Sequence, residues 1–63
     1  MMTNKEITTA LRFAGKYIPL KANLINCVTA MAVHSVGVLT PERYVGIRTN
    51  VERIHNNMQA GVK

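Results

Sequence analysis

Apolar residues recur along this chain in three rhythms. In the last third, Tyr44, Ile47, Val51, Ile54 and Met58 are separated by three, four, three and four residues. That is a heptad seam, narrower than the face a helix usually turns to its own globular core. Near the N-terminus, Ile7, Ala10, Leu11, Ala14, Tyr17 and Ile18 return at helical spacing and make a broader face, with Phe13 at its margin. Between the two, Leu24, Ile25, Cys27, Val28, Ala30, Met31, Ala32, Val33 and Val36 leave almost no polar side. A helix apolar nearly all round is a buried one. Asn23, Asn26 and Thr29 mark its least buried strip.

Boundary residues turn these rhythms into three helices, at about 3–18, 20–36 and 41–59. Thr3 and Glu6 fit a capping box, with Met2 and Ile7 at the staple positions around it. Pro19 disfavours a helical Ile18 and closes the first helix there. Gly37 suits the left-handed position after the second helix, and Val38 supplies the apolar residue that follows. Thr40 caps the third, Pro41 takes its first position, and Glu42 lies against the positive end of its dipole. Leu39 and Tyr44 are the corresponding staple pair, and 60–63 reads as a frayed tail. The connections are short, so successive helices pack as neighbours. The fold class is an all-α, three-helix single domain over 1–63.

Length sharpens the meaning of the seam. A chain of 63 residues buries only roughly 60% of its unfolded surface, which makes a lone core marginal. With Cys27 as the one cysteine, no internal disulfide can help. The sequence therefore predicts that the bundle is completed by oligomerisation, as a dimer or higher. Tyr44, Ile47, Val51, Ile54 and Met58, with His55 beside them, are the expected interface to a second copy or a protein partner. The seam could equally serve the second helix, or both.

Charge adds a second candidate surface. Eight Lys and Arg oppose three Glu, for a net charge of +5. Such a balance favours acidic partners, nucleic acid among them. Lys5, Arg12 and Lys16 fall opposite the apolar stripe of the first helix, and Lys21 follows in the turn. On the third helix, Arg43, Arg48 and Arg53 point in different directions, with Arg48 placed to pair with Glu52. The first-helix ridge is the better basic contact surface. A DNA-reading helix-turn-helix fits poorly, because Gly46 stands where a recognition helix would carry readers.

Chemistry is scarce. No Asp is present, and Glu6 and Glu42 already serve helix starts. Cys27 and His34 lie two helical turns apart, too far for a nucleophile and its base. No pair of Cys or His has metal-ligand spacing. Neither a catalytic residue nor a metal or cofactor is expected; His34 reads as a partly buried core residue. Lys5, Glu6 and Arg12 interrupt any signal-peptide core. Asn23, Asn26 and His34 argue against a membrane span between Ala22 and Pro41. A cytoplasmic protein is expected.

The stretch MTNKEITTALRFAGKYIPLKANLIN, with the basic end ERYVGIRTNVERIHNN, resembles the short accessory proteins of lambdoid bacteriophages encoded between the exonuclease and excisionase genes. The resemblance implies a small regulatory protein of the host cytoplasm, made early in infection. Such proteins act on host or phage factors during development. It implies no enzyme and carries no functional residue across.

Overall fold

The computed structural model describes residues 2–37 and 40–61. It has three helices, α1 (Asn4–Ala14), α2 (Lys21–Val36) and α3 (Pro41–Ala60), and no strand among the described residues. Each start has a physical cause. At α1 the Thr3 N–H donates to Glu6 Oε1 at 2.8 Å, and the Glu6 N–H donates to Thr3 Oγ1 at 3.2 Å. This closed capping box satisfies two otherwise orphaned donors. At α3 the Arg43 N–H donates to Thr40 Oγ1 at 3.2 Å, and Pro41 occupies the first turn. Gly37 ends α2 at φ 81°, a left-handed conformation that costs glycine nothing. Val38 and Leu39, with the second staple, lie outside the described residues, as does the tail beyond Gly61.

Two expectations about α1 and α2 are corrected. Helix α1 ends at Ala14, earlier than Pro19 requires, and Gly15 follows with a right-handed backbone and Leu11 O only 2.8 Å from where a Cβ would stand. Beyond it the backbone turns more tightly, with Lys16 N–H to Phe13 O at 3.3 Å and Tyr17 N–H to Ala14 O at 3.0 Å. The tighter turn swings Tyr17 off the apolar stripe, and it is 72% exposed, with Phe13 at 65%. In α2 the predicted polar strip divides. Asn23 and Asn26 are exposed while Thr29 is fully buried, and the burial of Ile25, Val28 and Ala32 shows which side faces inward. Nor is α2 enclosed all round, since Ala30 and Met31 face outward.

The core joins Ile7 and Leu11 of α1, Leu24, Ile25 and Val28 of α2, and Val51 and Ile54 of α3. Burying such a side chain is worth about 1.5–3 kcal/mol. Met2, Ala14, Ile18, Ile47 and Met58 pack around this cluster. The seam of α3 is thus turned towards α1 and α2 of its own chain. Side-chain bonds pin the helices at their rims. Arg48 Nε donates to Asn26 Oδ1 at 3.1 Å, Lys21 Nζ to Asn56 Oδ1 at 2.9 Å and Asn50 Nδ2 to Asn4 Oδ1 at 3.1 Å. Arg48 is therefore bonded across to α2, where the sequence pattern paired it with Glu52.

Candidate functional site

The unequal lengths of the helices create the most distinctive surface. Helix α1 has 11 residues and α3 has 20. The bond between Asn50 and Asn4 sets the start of α1 beside the middle of α3. At the other end, Leu11, Arg12 and Gly15 share a cavity wall with His55, Met58 and Gly61. Helix α1 therefore runs alongside the second half of α3 only. The first half of α3, from Pro41 towards Thr49, extends past α1 and faces the last turns of α2. The molecule is three helices thick at one end and two at the other.

At the two-helix end lies an open groove of about 490 Å³, walled by Met2, Ile7, Ala32, Val36 and Ile47. Glu42, Arg43 and Asn50 form its polar margin. Gly46 belongs to the same wall, and a Cβ added there would meet nothing within 4 Å. A glycine inside a helix costs roughly 0.5–1 kcal/mol relative to alanine. Here it leaves that stretch of the groove wall without a side chain.

The predicted interface residues are distributed between core and groove. Val51 is 0% exposed, Ile54 9% and His55 8%. These three offer little surface to a second subunit in this arrangement. Met58 packs at the margin of the core and Tyr44 is half-buried. Ile47 both touches the core cluster and lines the groove. The accessible parts of the seam are therefore its two ends, Tyr44 and Ile47 at one and Met58 at the other. His55 Nδ1 is buried without a hydrogen-bond partner among the described residues.

The basic candidates lie elsewhere. Lys5, Arg12, Lys16 and Lys21 are all exposed. Lys21 is tied to Asn56, as above, and borders the same cavity as Arg12. Phe13 and Tyr17 stand next to this ridge with ring centroids 5.7 Å apart and planes inclined at 54°. The sequence pattern assigned these rings to the apolar face and its edge. The outward position of Tyr17 goes with the end of α1 at Ala14, whereas Phe13 stands within α1 at the margin of its apolar face.

Cys27 is half-buried and unpaired. His34 is exposed at the end of α2, a correction to its expected place in the core. Among the described residues no group of three or more His, Cys, Asp or Glu could hold a metal ion. Among them, too, no helix is long and apolar enough to cross a membrane. No family model, curated protein or solved structure matches the chain.

Proposed function

We propose that this is a non-enzymatic interaction protein that binds a helix of another chain in the groove between α2 and α3. The observation that carries the reading is the uncovered two-helix end. A partner helix laid there would occupy the place that a longer α1 would fill. Apolar grooves of this kind take the apolar face of an amphipathic helix, anchored at every third or fourth residue. Gly46 would let that helix approach closely. The occupant is a second copy of this chain, giving a homo-oligomer, or a partner protein whose activity the binding modulates. The resemblance to early accessory proteins of lambdoid phages supports the second role, in the cytoplasm of an infected host.

Gly46→Glu tests this directly. It places a charge in the groove at a position with room for a side chain, so the fold should survive. Sedimentation should show self-association of the wild type, or capture of a host or phage protein, and loss of either in Gly46→Glu at unchanged helicity. Val51→Asp is the contrast. It buries an unpaired charge in the core, and circular dichroism should show it unfolded. A wild type that stays monomeric at micromolar concentration and captures nothing, or a Gly46→Glu variant that associates as before, would sink the proposal.

A further inference from the structure

The outward edge of α1 carries a second, separate surface. The chain has three aromatic residues, Phe13, Tyr17 and Tyr44. A protein short of core volume would be expected to use them inside. Instead Phe13 and Tyr17 are 65% and 72% exposed, on neighbouring turns of one helix end. The ridge of Lys5, Arg12 and Lys16 runs beside them. At about 100° per residue Lys5 and Arg12 fall within roughly 20° of one another around the axis of α1, about 10 Å apart along it, and Lys16 follows in the turn beyond Ala14. Among the described residues, none of their side chains is engaged in a hydrogen bond, whereas Lys21, Arg48 and Arg53 each bond to an asparagine. The one acid of α1, Glu6, is turned back onto the Thr3 N–H.

We propose that this edge binds single-stranded nucleic acid, with Phe13 and Tyr17 stacking bases and Lys5, Arg12 and Lys16 following the phosphates. Three arguments select this occupant. A second copy meeting its own like surface would bring two cationic ridges together without compensating acids. The exposed rings leave π-faces open, and every base offers a π-face to stack on them; Phe13 also borders a shallow hollow shared with Lys5 and Met31, which places a cation beside the stacking face. A duplex keeps its base faces stacked internally, and the narrow ridge follows one strand, not two. The inference is independent of the groove, which opens between α2 and α3.

Fluorescence anisotropy with labelled oligonucleotides of about a dozen residues, single-stranded and duplex, gives the test. Single strands should bind more tightly than duplex. For three neutralised phosphates the log–log salt slope should be about −2. Phe13→Leu and Tyr17→Leu keep apolar bulk and remove the ring. Each should weaken binding roughly tenfold with the slope unchanged, while Arg12→Gln should make the slope shallower by about 0.7. Gly46→Glu should bind nucleic acid like the wild type. Equal or tighter duplex binding, Leu variants that bind normally, or no binding at low salt would each overturn the proposal. So would sedimentation showing that Phe13→Leu or Tyr17→Leu abolishes a protein complex in place of a nucleic-acid one.

Discussion

Thr29 sits inside α2 with no exposed surface, and its hydroxyl lacks a hydrogen-bond partner among the described residues. Thr8 and Thr9, on α1, turn theirs onto the carbonyls of Asn4 and Lys5 at 2.9 and 3.1 Å. A buried, unpaired hydroxyl has lost water and gained nothing, at a cost of about 1–3 kcal/mol. Thr29→Val keeps the branched shape and removes the oxygen. Urea titration should show stability raised by about 1 kcal/mol with an unchanged slope. That is a large share of the roughly 3–9 kcal/mol available to a domain this size. Glu6 gives a second residue-scale outcome. Its carboxyl is held below the usual range, first by the Thr3 backbone N–H and then by the Thr3 hydroxyl. A carboxylate with a lowered folded pKa stabilises the fold above its ordinary value, and that contribution is lost as pH falls through the lowered one. The difference in Tm between wild type and Glu6→Gln should therefore be constant near neutrality and shrink below about pH 4.

Among the elements, caps were more legible than uncapped boundaries and faces. Thr3 with Glu6, Thr40 with Pro41, and Gly37 carry local signals that depend on few neighbours, and the structure uses each of them. The end of α1 was read from Pro19, whereas the α-helical run stops at Ala14, where the tighter bonds of Lys16 and Tyr17 begin. The inward face of α2 was hidden because apolar residues surround it; only packing against α1 and α3 selects Thr29 over Met31. The seam of α3 was visible as a stripe, but a stripe does not say which chain covers it. The groove was beyond reach of periodicity, since it arises from the difference in length between α1 and α3. Two glycines separate local from tertiary effects. Gly46→Ala adds a Cβ in open space and should raise stability by about 0.5–1 kcal/mol. At Gly15 an added Cβ would lie 2.8 Å from Leu11 O, with Leu24 Cδ2 at 3.7 Å. Gly15→Ala must shift backbone and should lower Tm. Thermal melts of the pair should move in opposite directions.

Across the whole molecule, +5 of net charge and two separate surfaces sit on a bundle 37 Å long and 17 to 20 Å across. The elongation follows from the overhang of α2 and α3 beyond α1. It also means that no single figure describes how firmly the backbone is held. Around Val51 and Ile54 a backbone amide is shielded by two neighbouring helices, so its exposure requires nearly the whole domain to open. Around Glu42 to Gly46, and in the last turn of α2, one neighbour is enough to release it. Native-state hydrogen exchange should therefore run as a gradient along α3. Protection should be greatest near Val51 and fall away towards Pro41, although that is the better capped end of the helix. The same overhang that leaves room for a partner helix thus makes its own amides the reporters: a bound helix should flatten the gradient by slowing exchange from Glu42 to Ile47 more than at Val51.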